Sequence, residues 1–153
     1  MLIDKNIEEL CINNKLVDNF DKSKLNSVSY ELSIDSFVID GEEKIYEEIS
    51  LPSLEYIYVK CDCSLNMPND LCAMVIEKNS LMRKGLKVDG PLYQPGHKTN
   101  VYIRIFNMNK DSFVLKNKMN IAQLSFFKLN DIPYVTYDNQ VGASYNDERV
   151  FRN

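Results

Sequence analysis

The sequence lacks an excess of positive charge, a long apolar run and any cluster of histidines. Its 18 lysines and arginines are outnumbered by 22 aspartates and glutamates, for a net charge of −4, and it has one histidine. Without a basic stripe to release counterions, a general nucleic-acid binder is not expected. No segment approaches the roughly 20 apolar residues that cross a bilayer, and the N-terminus lacks the apolar core of a signal peptide. We therefore expect a cytoplasmic protein that binds neither nucleic acid nor membrane.

Cysteine is also scarce, with four residues in the chain. Cys61 and Cys63 alternate with Asp62, so both thiols would lie on one face of a strand. A metal or redox pair is one interpretation, but Cys-x-Cys with the lone His97 fits no standard zinc spacing. We expect reduced, structural thiols and no metal site.

A single domain is expected over residues 1–153. The chain has 153 residues, 44% of them hydrophobic, and this length allows a domain to bury roughly two thirds of its unfolded surface. No shift in composition, internal repeat or low-complexity stretch marks a second unit.

The spacing of apolar residues predicts one short N-terminal helix followed by strands. Asp4 is a candidate N-cap for the helix, and Asn13-Asn14 is expected to end it. From Val28 onward the period is mostly two, in runs rich in β-branched and aromatic residues. The helical stripe is Ile3, Ile7, Leu10 and Cys11, and the predicted strands include 30–34, 56–59, 101–105, 113–115 and 124–127. Short strands separated by turn residues predict an all-β barrel or sandwich.

Five segments carry a recognisable pattern in a consistent order along the chain. They are residues 1–8, NSVSYEL at 26–32 (similar to PASYDL), MPNDL at 67–71 with EKNSLMRKGL at 77–86 (similar to LP.DL and GRSSLARLGL), NKMNIAQL at 117–124 (similar to PGMRIAQL) and YDNQVGA at 137–143 (similar to YRNQQGA). Together these segments resemble the dCTP deaminase family and its dUTPase relatives.

The resemblance implies a distorted β-barrel or jelly-roll of the dUTPase-like type. It also implies a homotrimer with nucleotide sites at the subunit interfaces, and a tail, residues 137–153, that closes over the site. Enzymes of this family use no zinc, and Mg²⁺ accompanies the triphosphate. In the deaminase a Glu-activated water attacks the cytosine ring, and in dUTPase an Asp-activated water cleaves between phosphates.

The segment 77–86 is the expected phosphate site. Arg83 suits a bidentate phosphate contact, and Lys78 is a point charge where the family usually has Arg. Taken alone, the same segment would be read as a solvated surface turn. The residues expected to bind the nucleotide phosphates are Lys78, Asn79, Ser80, Arg83, Arg104, Gln123 and Gln140, and the expected base pocket is Leu92, Tyr93 and Gln94.

The positions that should hold the catalytic carboxylates are substituted. In a hairpin similar to that of dUTPases, Gln94 stands at the position of the water-activating Asp, and in the strand similar to VLEFYN, Arg104 stands at that of the deaminase Glu. Neither side chain accepts a proton near neutrality. Two nearby groups, Asp89 and His97, are possible substitute bases, since the ordinary pKa of histidine lies near 6.5.

Three functions are compatible with these residues. The first is a non-catalytic nucleotide binder, acting as a sensor or a sequestering protein. The second is an active dCTP deaminase or dUTP diphosphatase of deoxynucleotide metabolism with a rearranged base, supported by kinship alone. The third is an interaction protein that has kept the trimer and lost the ligand.

Overall fold

The computed structural model describes residues 1–153 and has one helix of more than a single turn, α1 (Asp4–Asn14). Its N-cap is Ile3, so the predicted Asp4 cap was wrong. The cause is the pairing of the chain before the helix, because Leu2 N–H donates to Phe126 O (2.7 Å) and Asp4 N–H to Ser27 O (2.9 Å). The helix ends as predicted, with Lys15 in the left-handed region (φ 52°). No helix is long and apolar enough to cross a membrane.

Strands make up most of the remaining structure, so the prediction of an all-β fold with a short N-terminal helix is confirmed. A single-turn helix, α2 (Asn79–Met82), and short 3₁₀ turns at Lys22–Lys24 and Tyr137–Asn139 interrupt them. The strands are β1 (Leu25–Asn26), β2 (Ser29–Ile39), β3 (Glu42–Lys44), β4 (Glu48–Leu51), β5 (Tyr56–Asn66), β6 (Leu71–Glu77), β7 (Leu86–Asp89), β8 (Leu92–Tyr93), β9 (Lys98–Asn107), β10 (Phe113–Lys116) and β11 (Asn120–Lys128).

Nine strands form one antiparallel sheet in the order β7-β9-β5-β2-β11-β6-β8, with β1 and β3 attached to β2. The strands at its two ends, β7 and β8, are separated in the chain by only Gly90 and Pro91. Because so short a connection spans roughly 10 Å, the sheet must curl until its ends are adjacent. Gly90 lies against Val75, where an added Cβ would come within 2.3 Å of a Val75 methyl carbon. The result is a half-barrel.

The segment expected to form a hairpin around residues 88–97 does not pair with itself. β7 is hydrogen-bonded to β9, and β8 to β6. β7 and β8 therefore lie at opposite ends of the sheet. The two residues that connect them, Gly90 and Pro91, lie where the curled sheet closes.

One hydrophobic core of 28 buried residues fills the inside of the curled sheet, and Ile7 and Cys11 of α1 pack into it. Its largest members include Tyr30, Phe37 and Phe126. Burial of an apolar side chain of this size stabilises the fold by about 1.5–3 kcal/mol. The core thus anchors the strands whose outward faces carry the candidate site.

The four thiols are free, and three of them, Cys11, Cys61 and Cys63, belong to this core. Burial raises the pKa of Cys11 to about 11 and that of Cys63 to about 12. These thiols are therefore protonated at neutral pH and pack as small hydrophobic groups.

Asn107, at the end of β9, is fully buried and ties two loops to the sheet. The two hydrogens of its side-chain amide are shared among the carbonyl oxygens of Leu51 (3.0 Å), Pro52 (3.1 Å) and Asp111 (2.9 Å). Its Oδ1 accepts from the backbone N–H and the side-chain amide of Asn109, at 3.0 and 2.9 Å. This one side chain fixes both turns beside the end of β9.

Candidate functional site

A cavity of about 780 Å³ lies where the barrel closes, between the outward face of β5 and β9, the 89–94 connection and the C-terminal tail. It brings the substituted catalytic positions together with the expected base pocket. The lining residues include Tyr56, Tyr58, Asp89, Leu92, Tyr93, Gln94, His97, Tyr102, Arg104, Tyr137, Tyr145, Glu148, Phe151 and Arg152.

Asp89 and Arg104 form an ion pair in this cavity. They are directly opposite residues of β7 and β9, and Arg104 Nη2 donates to Asp89 Oδ2 at 2.8 Å. The other carboxylate oxygen lies 3.2 Å from Lys87 Nζ. The hydrogen bond from Arg104 is the main cause that holds the pKa of Asp89 below its usual 3.8, and the same bond raises the pKa of Arg104. Both groups are therefore charged throughout the physiological range.

Aromatic rings cover the sheet face beside this pair. The guanidinium carbon of Arg104 lies 5.6 Å from the ring centroid of Tyr56, within cation–π range. Tyr56 and Tyr58 pack edge to face, with centroids 5.8 Å apart. The Tyr102 hydroxyl donates a hydrogen bond to Glu43 Oε1 at 2.5 Å. Burial, and then this hydrogen bond, raise the pKa of Tyr102. The wall is thus aromatic and bordered by charge, with the rings of Tyr56 and Tyr58 nearly perpendicular to each other.

His97 is buried beneath the tail and packs against Tyr137, with ring centroids 4.1 Å apart and the ring planes tilted by 41°. Its Nε2 is 2.9 Å from the carbonyl oxygen of Tyr145, which requires a proton on Nε2. Its Nδ1 has no hydrogen-bond partner, and neither has the buried hydroxyl of Tyr93. Burial lowers the pKa of His97 below 6.5, so the ring is neutral at pH 7.

Acidification is expected to destabilise the protein through His97. The unfolded chain binds this proton more readily than the folded one, so the stabilisation is complete above pH 6.5 and is lost as pH falls below it, with a slope of at most about 1.4 kcal/mol per pH unit. The His97→Gln variant keeps an N–H donor for Tyr145 O and does not titrate. Urea unfolding at pH 7 and pH 5 should show a larger loss in the wild type than in the variant; equal losses would contradict the assignment.

The residues expected to bind phosphate are divided: Arg104 lies in the cavity, whereas Lys78, Asn79, Ser80 and Arg83 lie in a second region, on and beside α2. The buried side chain of Leu81 anchors this turn in the core, while Asn79, Ser80 and Arg83 are exposed or partly exposed. Arg83 Nε donates to Asn79 Oδ1 at 3.2 Å, and this is its only side-chain hydrogen bond. The guanidinium nitrogens Nη1 and Nη2 therefore remain available for an anionic ligand.

Lys78 forms an ion pair with Glu31, in which Nζ lies 2.5 Å from Oε1. Asn120 donates to the other oxygen of the same carboxylate. On β11, Gln123 Oε1 accepts from Ser29 Oγ at 2.7 Å. Gln140 follows the last 3₁₀ turn, is exposed, and forms no side-chain hydrogen bond.

Within one chain the cavity and the region around α2 are separate. None of the α2 residues, nor Gln123 or Gln140, lines the cavity. The structure also contains residues that sequence reasoning missed, namely Tyr56, Tyr58, Tyr102, Glu148 and Phe151. The three tyrosines could have been found from strand alternation. It puts Tyr102 on the same face as Arg104, and Tyr56 on the same face as Tyr58.

No three His, Cys, Asp or Glu side chains are grouped to hold a metal ion. Asp89 is paired with Arg104 and Glu31 with Lys78, and Glu148, the other carboxylate that lines the cavity, has no second carboxylate paired with it to form a metal site. The protein residues therefore do not fit a resident Mg²⁺ site.

Comparison with known proteins gives a consistent result for sequence and fold. A family model described as dCTP deaminase-like matches residues 1–129. The dCTP deaminase of Buchnera aphidicola (subsp. Acyrthosiphon pisum) is 34% identical over 84 residues, which are 54% of this chain and 44% of that enzyme. The chain thus spans about half the length of the curated relatives with which it aligns first.

Solved structures share the fold at low sequence identity. The 2′-deoxycytidine 5′-triphosphate deaminase of Agrobacterium tumefaciens superposes with a TM-score of 0.68 at 17% identity, covering 82% of this chain and 47% of that one. A point variant of the Staphylococcus bacteriophage 80alpha dUTPase, with dUpNHpp, superposes with a TM-score of 0.55 at 17% identity, covering 82% and 95%. The predicted dUTPase-like fold is confirmed, and the chain belongs to the dCTP deaminase-like family.

Proposed function

We propose that the protein is a homotrimeric nucleotide binder that does not catalyse the standard reactions of its family, and that it senses or sequesters a pyrimidine deoxynucleotide or a related signal nucleotide. The observation that carries this proposal is the Arg104–Asp89 ion pair, at 2.8 Å, in the cavity that holds the substituted catalytic positions. A guanidinium there attracts phosphate and accepts no proton.

Asp89 is a poor substitute base. A general base works best when its pKa is near the working pH, whereas Arg104 holds the pKa of Asp89 below its usual value. Both of its oxygens also face cations, Arg104 and Lys87. A water beside this carboxylate would be weakly activated.

His97 is the observation that favours the alternative, an active dCTP deaminase or dUTP diphosphatase with a rearranged base. Its Nδ1 has no partner, the residue lines the cavity, and the ring is neutral at pH 7. A neutral imidazole nitrogen can accept a proton. Its burial beneath Tyr137 and Tyr145 limits access of a substrate water to it, which is why we rank this function second.

The separation of the two places supports a trimer. In one chain Arg83 and Ser80 lie outside the cavity, so a phosphate on α2 and a base in the cavity would come together only across a subunit interface. Exposed apolar side chains on the closing strands support such contacts: Met74 of β6 pairs with Leu92 of β8, and 45% and 53% of their surfaces are exposed.

We propose that Mg²⁺ enters with the nucleotide and is held by its phosphates, because the protein offers no free carboxylate cluster. The sensor role has a parallel in the phage 80alpha dUTPase, which is described as controlling transfer of virulence genes by a G protein-like mechanism. For a sensor, binding without rapid turnover is an advantage, because the bound state persists.

Native mass spectrometry of the purified protein with dCTP, dUTP and Mg²⁺ is expected to find unchanged nucleotide retained on a trimer. Saturating nucleotide should also stabilise the fold, by about 2.7 kcal/mol at a hundredfold excess over Kd. Release of dUTP, dUMP or pyrophosphate would overturn the proposal in favour of the enzyme. If the protein neither binds nor converts the nucleotide, the remaining function is that of an interaction protein.

A further inference from the structure

The turn that carries His97 seats the C-terminal tail. Its backbone contacts both the barrel and the tail. Met67 N–H donates to His97 O at 2.9 Å. Tyr137 N–H donates to Pro95 O at 2.8 Å. The Tyr137 ring packs against the imidazole, and Nε2–H donates to Tyr145 O at 2.9 Å. The side chain of His97 therefore holds the tail at two points.

Two buried polar atoms at this turn have no hydrogen-bond partner in the chain, Tyr93 Oη and His97 Nδ1. Tyr93 is 1% exposed and His97 is 6% exposed, and both residues line the cavity. Their ring centroids lie 5.8 Å apart, with the ring planes tilted by 42°. The two side chains are therefore neighbours whose polar atoms do not bond to each other.

The two atoms have complementary chemistry. Burial raises the pKa of Tyr93 well above 10, so the hydroxyl keeps its proton and can donate it. The imidazole is neutral at pH 7 with its proton on Nε2, so Nδ1 offers a lone pair and only accepts. Buried polar groups of this kind are normally bonded to protein or to ordered water, because leaving them unpaired destabilises the fold.

Water is the ligand that fits both atoms. One molecule accepts a hydrogen bond from the Tyr93 hydroxyl and donates one to His97 Nδ1, and its second hydrogen remains for a further acceptor. Glu148 offers one, because its carboxylate lines the same cavity and accepts from Arg152 N–H alone. A cation such as ammonium would leave the Tyr93 proton unpaired, and an anion without protons would leave Nδ1 unpaired. The cavity, at about 780 Å³, has room for the molecule.

We propose that Tyr93 Oη and His97 Nδ1 bind one ordered water molecule, which completes a hydrogen-bonded relay from β8 through His97 to Tyr145 and so fixes the tail over the cavity. The relay runs from Tyr93 O–H to water, from water to Nδ1, and from Nε2–H to Tyr145 O. Occupation of the Nδ1 lone pair makes His97 a structural group, in agreement with its second rank as a base. The water site is independent of nucleotide binding, and no nucleotide is needed to test it.

Tyr93→Phe distinguishes a bridged hydroxyl from an unpaired one by the sign of its effect on stability. If water bridges the pair, the variant leaves Nδ1 unpaired, and the equilibrium constant for unfolding should rise about fivefold. If the hydroxyl has no partner, its removal should lower that constant. Urea unfolding at pH 7 measures the change. Tyr30→Phe is the matched reference and should give a rise of similar size, because Tyr30 is equally buried and its hydroxyl accepts from Asp21 N–H at 3.0 Å.

The bridge also predicts that the effect of Tyr93→Phe depends on His97. In the His97→Phe background the water has no Nδ1 to bind, so Tyr93→Phe should leave the unfolding constant unchanged or lower it. An equal rise in both backgrounds would mean that the hydroxyl is bonded to something that does not involve His97, and would overturn the site.

A high-resolution crystal structure of the wild type tests the water directly. It should show one water within roughly 2.7–3.2 Å of both atoms, and that water should be absent from Tyr93→Phe. A water on only one of the two atoms, or a direct hydrogen bond between them, would refute the bridge.

Hydrogen exchange tests the relay to the tail. The amide of Tyr145, which donates to Tyr137 Oη at 3.2 Å, should exchange several-fold faster in Tyr93→Phe than in Tyr30→Phe, although both variants lose similar stability. Equal exchange of this amide in the two variants would show that the water does not support the tail, and would overturn that part of the proposal.

Discussion

Replacing Arg83 with alanine is expected to weaken nucleotide binding about ten- to a hundredfold. A charge-assisted hydrogen bond contributes about 1.5–3 kcal/mol, and about 1.4 kcal/mol is a factor of ten in Kd. Arg83 has a single side-chain hydrogen bond, to Asn79, so its guanidinium is available for a phosphate. Isothermal titration with dCTP and Mg²⁺ measures the loss, and the salt dependence of Kd should fall in parallel.

Lys84→Ala is the matched control, because Lys84 is the exposed cationic neighbour and forms no side-chain hydrogen bond or ion pair. It removes the same charge from the same segment. Arg83→Lys should recover part of the affinity, since a point charge replaces the bidentate fork. An unchanged Kd in Arg83→Ala would remove the phosphate site from α2.

Asn107→Ala is expected to reduce the free energy of unfolding by about 3 kcal/mol or more. The substitution leaves three backbone carbonyls without their donor and two donors of Asn109 without their acceptor. Each buried polar group without a partner costs about 1–3 kcal/mol. Urea unfolding monitored by circular dichroism measures the change.

Asn130→Ala serves as its control, since Asn130 is exposed and its side chain forms no hydrogen bond. Stability within about 0.5 kcal/mol of the wild type is expected there. If Asn107→Ala were equally mild, the two turns at 52–55 and 108–111 would be held by their backbone bonds alone.

Much of the fold was predictable because its signals are local. The alternation from Ile103 to Asn107 follows from burial of one sheet face, and β2, around Tyr30, shows the same period in its sequence although it is buried at most positions. The helix, too, is visible from its apolar stripe. The pairing of β7 with β9 and of β8 with β6 was not predictable, because strands of four and two residues carry almost no pattern of their own. Closure of the whole sheet determines which strands they pair with.

The candidate site, too, was predictable only where its residues are close together in the sequence. The α2 residues were proposed from a contiguous motif, and the Arg104 position from its strand; their roles stay predictions. A tail over the site, residues 137–153, was expected from the resemblance alone; its bonds between residues 98–100 and 147–149 could not be predicted, because these residues are far apart in sequence. Tyr58 and Phe151 each look like an ordinary half-exposed aromatic until the fold brings them together.

The single histidine has a practical value. Its two carbon-bound ring protons give resonances that no other histidine overlaps. The Tyr137 ring packs against the imidazole with centroids 4.1 Å apart, and Tyr145 O accepts a hydrogen bond from Nε2. Ring currents from Tyr137 should displace both resonances from their positions in a free imidazole. A one-dimensional proton NMR spectrum of the unlabelled protein can therefore follow the packing of the C-terminal tail in solution, with nothing attached to the chain.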